Sequence, residues 1–220
     1  MARPTKRSPE QGDARTRLLD AALAVIRAQG YAATTVDQLC QAAGVTKGAF
    51  FHHFPSKEAL GVAAAGHWSA VTGGLFATAP YHQVADPLGR VLAYLNFRRA
   101  LLDDRAVREF TCLAGTMVQE TFDAVPAIRE ACAASISGHA ATLEADLQGA
   151  LDGLGPNAPA GVTARSLALH TQAVLQGGFI LAKAIGTAEP VADGIDHLKR
   201  YLTLLLTPQP HPTPPTGDRA

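Results

Sequence analysis

The chain has 220 residues, long enough for one substantial core or two small ones, and its 19 Lys and Arg are balanced by 19 Asp and Glu. The balance hides an asymmetry: residues 1–60 hold eight basic and five acidic side chains, and the remainder 11 basic and 14 acidic, which fits a basic head on an acidic body. Cys40, Cys112 and Cys132 are too few and too scattered for a disulfide framework, and the polar N-terminus lacks the apolar core of a signal peptide, so a cytoplasmic protein is expected.

Residues 1–12 read as a flexible basic arm. From Asp13 to Gln29, Leu18, Leu19, Ala22, Leu23, Val25 and Ile26 recur at helical spacing, and Gly30 stops the run. Thr35 then sits where it can cap a helix, with Gln38 at the capping-box position and Val36, Leu39, Cys40 and Ala43 on one apolar face. Gly44 permits a sharp end, Val45 is an apolar plug, and Thr46 caps a helix of about two turns. Ser56 caps a long helix to about Ala77.

The spacing predicts further helices over 84–102, over 105–122 with an irregularity near Gly115, from Pro126 to about Leu151, over 163–185 and from Pro190 to about Leu206. Residues 153–161 read as a loop and 207–220 as a disordered tail. The most apolar long segment, 167–185, carries His170, Gln172, Gln176 and Lys183 and reads as a buried helix rather than a membrane span. No strand alternation is present. The predicted fold is all-α: a helix-turn-helix domain over 13–55 and a helical bundle of about six helices over 56–206 for ligand binding and dimerisation.

The segment TTVDQLCQAAGVTKGAFFHHFPSKEAL resembles the "TT..dIa..AGvs.gtlY.hF.sKe.L" pattern of tetracycline-repressor-type transcriptional regulators, with glycine, caps, aromatics and lysine in register. Phe51 stands where the family usually has a tyrosine whose hydroxyl touches a DNA phosphate. More weakly, TCLAGTMVQE (111–120), VPAIREAC and LQGGFILAKA (175–184) resemble segments of one subgroup, which usually has glycine at the position of Thr111. The resemblance implies a homodimer on a palindromic operator in double-stranded DNA, with a C-terminal domain that binds a small-molecule inducer. The resemblance implies a repressor released from that operator by its inducer, with an activator as the variant reading.

On that footing Thr35, Thr46, Lys47, Gly48, Phe51, His52, His53 and Lys57 are the candidate DNA-binding residues: lysine for phosphates or guanine, threonine at a helix N-terminus, glycine for close approach. Arg15 and Arg17 either touch flanking phosphates or are solvated. Trp68, Phe76, Tyr94, Phe97, Phe110, Cys112, Met117, His139 and Gln176 are the side chains expected to line an inducer cavity. Without a charged cluster in view, a lipophilic, neutral or weakly polar inducer is expected. Cys112 is either a thiol sensor with Arg108 as its activating charge or a buried small hydrophobe, the reading favoured. Gly177 and Gly178 allow close helix approach at a two-fold interface or a bend over the cavity. The interface is placed on the last two helices, with Leu167, Val174, Gly178, Phe179, Leu198, Tyr201, Leu202 and Leu205. No metal-ligand spacing, P-loop, GxSxG or GxGxxG occurs, so neither a cofactor nor enzymatic activity is expected.

Overall fold

The computed structural model describes residues 13–208; the expected arm (1–12) and the tail from 209 on lie outside the described residues. The helices are α1 (Ala14–Gln29), α2 (Val36–Ala43), α3 (Lys47–His53), α4 (Lys57–Ala77), α5 (Pro87–Ala100), α6 (Val107–Phe110), α7 (Leu113–Thr121), α8 (Pro126–Ala141), α9 (Glu144–Asp152), α10 (Ala164–Ile185) and α11 (Glu189–Leu206). Among the described residues no strand is present, and no helix is long and apolar enough to cross a membrane.

Local chemistry sets the first four boundaries. Asp13 accepts the Thr16 N–H at 2.8 Å and caps α1. Thr35 and Gln38 form the reciprocal capping box of α2. Gly44 takes a left-handed conformation (φ 61°, ψ 41°) that ends α2, and the Val45 N–H closes on Cys40 O at 2.9 Å. Thr46 and Ser56 cap α3 and α4 through the N–H groups of Ala49 and Ala59. Seven residues cannot hold a helix alone. What holds α3 is Phe50, fully buried, and Phe54, nearly so, against Leu18, Leu19 and Leu39.

Two expected elements are divided. The 105–122 helix breaks at Thr111–Cys112, not near Gly115, because Cys112 adopts an extended backbone and its sulfur accepts the Gly115 N–H at 3.4 Å, starting α7 afresh. Gly115 instead lies inside α7, where the Gln176 carboxamide fills the space a Cβ would need. The 126–151 helix breaks at Thr142–Leu143, where the Thr142 hydroxyl donates to His139 O at 2.7 Å and the chain tightens into a turn. The body from α4 onward therefore has eight helices among the described residues rather than about six.

The packing forms two apolar clusters. One joins α5, α9, α10 and α11 around Val91, Leu95, Leu147, Leu175 and Leu198. The other runs from α1–α3 straight into the body, placing Leu18, Phe50 and Leu60 in one core with Leu113, Met117, Ile128 and Cys132. Head and body are further tied by Glu120, which accepts the Ala32 N–H at 2.6 Å, and by an Asp20–His67 contact of 2.7 Å.

Candidate nucleic-acid interface and inducer cavity

The helix-turn-helix presents one exposed face. Thr46, Lys47, Gly48, Phe51 and His52 are all exposed on or beside α3, and His53 is half-buried with its ring 4.9 Å from that of His52. Phe51 is 53% exposed, an unusual position for a phenyl ring with no polar handle. Lys47 Nζ pairs with Asp37 Oδ1 at 2.8 Å across the turn, and this partner holds its ammonium above the usual lysine range. The pair is fully in solvent, so an incoming phosphate competes for Lys47 on favourable terms.

Three other basic side chains of the head are engaged by neighbours in the chain. Lys57 donates to Ala32 O at 3.2 Å and lies 4.4 Å over the Tyr31 ring, and burial lowers its pKa. Arg17, open between phosphate contact and solvation by sequence, instead donates to the carbonyls of Ala43 and Gly44 at the C-terminus of α2. Arg15 stacks 5.3 Å over Phe54. Thr35 is spent on its capping box.

A cavity of about 270 Å³ opens in the body. Of the residues expected to line it, Trp68, Phe76, Phe110, Cys112, His139 and Gln176 do so. Tyr94 stands one layer behind, its hydroxyl 2.9 Å from His139 Nε2, and Phe97 packs edge-on to Phe76 with centroids 5.6 Å apart. Met117 is buried in the other cluster, under the head, because α7 turns it toward Gly61. Burial and the Arg98 charge push the His139 pKa down to about 3, so its ring is neutral. Cys112 is half-buried, and the cations that interact with it are Arg27 and Lys183, not Arg108. The other two thiols are buried, which pushes that of Cys132 up to about 12.

Sequence reasoning missed the cavity's charged residues: Arg27, Arg98, Arg105 and Glu109 all line it. Arg27 belongs to α1. Its guanidinium donates to Leu23 O and, across to the body, to Glu109 O, both at 2.9 Å, and sits 5.2 Å over the Trp68 ring. A wall of the cavity is therefore made by the head's own first helix.

The last two helices need a correction. Leu167, Gly178, Leu198 and Leu202 are buried in the chain's own core, and Phe179 faces the cavity. Gly178 does serve close approach, but between α10 and α11 of one chain: a Cβ there would stand 3.1 Å from Val191 Cα. Val174 and Leu205 are half-buried. Tyr201 is exposed beside His170, on an outer face shared with Leu169, Ile180, Leu181 and Ile185.

This geometry defines a class: an all-helical protein with a helix-turn-helix head and a ligand-sized cavity in its body. Residues 18–64 match the family described as "Bacterial regulatory proteins, tetR family". The match covers the helix-turn-helix head, which is thus similar to that of tetracycline-repressor-type transcriptional regulators. Over 57 residues it is 47% identical to the HTH-type transcriptional regulator SrpR of Pseudomonas putida, a match covering 26% of each chain. Across the whole fold, a TetR transcriptional regulator from Chloroflexus aurantiacus J-10-FL is similar with a TM-score of 0.72 and 26% identity, over 89% of this chain and 97% of that one. The regulator CifR, in a mutant form complexed with 26 bp operator DNA, has the same fold at a TM-score of 0.68 and 21% identity, over 90% and 98% of the two chains. The chain spans about a quarter of the length of SrpR, the curated relative named above.

Proposed function

We propose that the protein is a cytoplasmic, homodimeric, sequence-specific DNA-binding regulator, a repressor that leaves a palindromic operator when a small inducer fills the body cavity. The observation that carries this reading is Arg27, one side chain that belongs to the head and lines the cavity. A ligand touching it, or displacing the Glu109 carbonyl from it, acts on α1 directly and not only through α4. The ligand shifts operator affinity by as much as its own affinity differs between the two head positions.

Dimerisation supplies two copies of α3, which must stand about 34–36 Å apart to enter successive major grooves. The outer face of α10 and α11, with Leu169, Ile180, Leu181, Ile185 and Tyr201, is the surface proposed to pair two copies. Lys47 is the proposed principal DNA contact.

Selection of bound duplexes from a random pool tests the reading. The wild type should enrich a palindrome. Lys47→Ala should weaken binding across all sequences and reduce the slope of log affinity against log salt by about one. No enrichment at low salt would sink the proposal, as would a Lys47→Ala slope equal to that of the wild type.

A further inference from the structure

Three guanidinium groups, those of Arg27, Arg98 and Arg105, line the cavity against a single carboxylate, Glu109. Among the described residues none of the three arginines forms a salt bridge. Arg98 donates from Nε to Tyr94 Oη at 2.9 Å and from a terminal nitrogen to His139 Nε2 at 3.0 Å, both neutral acceptors. Arg27 donates to two backbone carbonyls. The Glu109 carboxylate is engaged by the Ala106 N–H at 2.9 Å.

One more donor waits in the same wall. Gln172 is buried and lines the cavity, and its Nε2 has no hydrogen-bond partner. A buried donor left unmade is costly and is normally satisfied, so this amide favours an occupant that accepts hydrogen bonds. Trp68, Phe76, Phe110, Leu175 and Phe179 supply the main apolar part of the lining, beside the polar Thr72, Ser135 and Gln176. The volume of about 270 Å³ exceeds the roughly 150 Å³ that accommodates benzene.

Resting on the inducer reading above, we propose that the cavity takes an amphipathic organic anion. Its carboxylate or phenolate head faces the arginines and the Gln172 amide, and its aromatic or short aliphatic body lies among the aromatic side chains. Unpaired guanidinium groups in a partly desolvated site attract such a head and repel lipophilic cations.

The test uses matched pairs on the full chain: phenylacetate, 4-phenylbutyrate, salicylate and octanoate, each against its primary amide, with phenethylamine as the cationic probe. Binding is read by calorimetry and operator release separately by fluorescence anisotropy. At least one acid should bind about 10- to 100-fold more tightly than its amide. Arg98→Gln should bring that ratio close to one. Should Arg98→Gln fold poorly, Gln172→Leu, which deletes an unsatisfied donor at similar volume, should still weaken the acid severalfold. Amides or the amine binding as tightly as the acids, or no acid binding at millimolar concentration, would overturn the inference. An acid that binds yet leaves operator affinity unchanged would instead remove the inducer reading and leave the anion site standing.

Discussion

Gly61, on α4 where head meets body, offers a sharp test of the packing. A Cβ added there would stand 2.8 Å from Ile128 Cδ1, 2.9 Å from Tyr31 Cε2 and 3.4 Å from Met117 Cε. The Ile128 and Met117 tips can give a little; the Tyr31 ring, 8% exposed and capped by Lys57, has little room. Gly66, one and a half turns further along the same helix, has nothing within 4 Å. Alanine at either position gains about 1 kcal/mol of helix propensity, so that gain cancels when the two variants are compared. What remains is overpacking at residue 61, of order 1–3 kcal/mol. Gly66→Ala should therefore melt about 2–4 °C above the wild type, and Gly61→Ala about 2–12 °C below Gly66→Ala, by differential scanning calorimetry. Because the wedge enters between the head's Tyr31 and the body's Ile128, Gly61→Ala should also change operator affinity without any ligand, while Gly66→Ala should not. Equal melting temperatures for the two variants would refute the close approach on which this reasoning depends.

Three further outcomes are expected. Phe51→Tyr adds a hydroxyl to an exposed ring on the reading face and should tighten operator binding about tenfold through one charge-assisted hydrogen bond, measured by anisotropy. His139 titrates near 3 in the folded chain and near 6.5 unfolded, so between these values the unfolded chain binds a proton that the folded one refuses. Stability therefore falls with pH, by up to about 2 kcal/mol between pH 7 and pH 5 from this group, and urea titrations of His139→Gln should lack that share. Leu181→Glu places a charge on the exposed face of α10 and should yield a well-folded monomer by light scattering; an intact dimer would move the interface elsewhere.

What could be read from the sequence was what depends on neighbours a few residues apart. The Thr35–Gln38 box, the Gly44 stop and the Thr46 and Ser56 caps are each written within four residues, and each stands in the structure. The cavity's charges are of the opposite kind. Arg27 closes what reads as an ordinary solvated helix end, and nothing near it in the chain signals that Glu109, 82 residues away, will meet it. Arg98 looks equally solvated beside Arg99 until the fold brings up His139. On α10 and α11, helical spacing marks which residues are apolar but not whose helix they face. Leu198 and Leu202 pack onto their own chain and Tyr201 does not, a distinction that only the α10–α11 crossing supplies. Gly115 misled for a related reason: its meaning lies in the Gln176 carboxamide, 61 positions on.

The apolar cluster that runs from α1–α3 into α7 and α8 has a bearing on modular engineering. Leu18, Phe50 and Leu60 share an interior with Leu113, Met117, Ile128 and Cys132, so the covalent joint at Pro55–Ser56 is not a seam in the packing. A chimera spliced at that joint would oppose two half-surfaces shaped for different counterparts, and would lose the shared core. A graft of this reading head onto a foreign sensor should carry the α7–α8 hairpin with it, trading a simple linear cut for a three-segment exchange that keeps the shared interior whole.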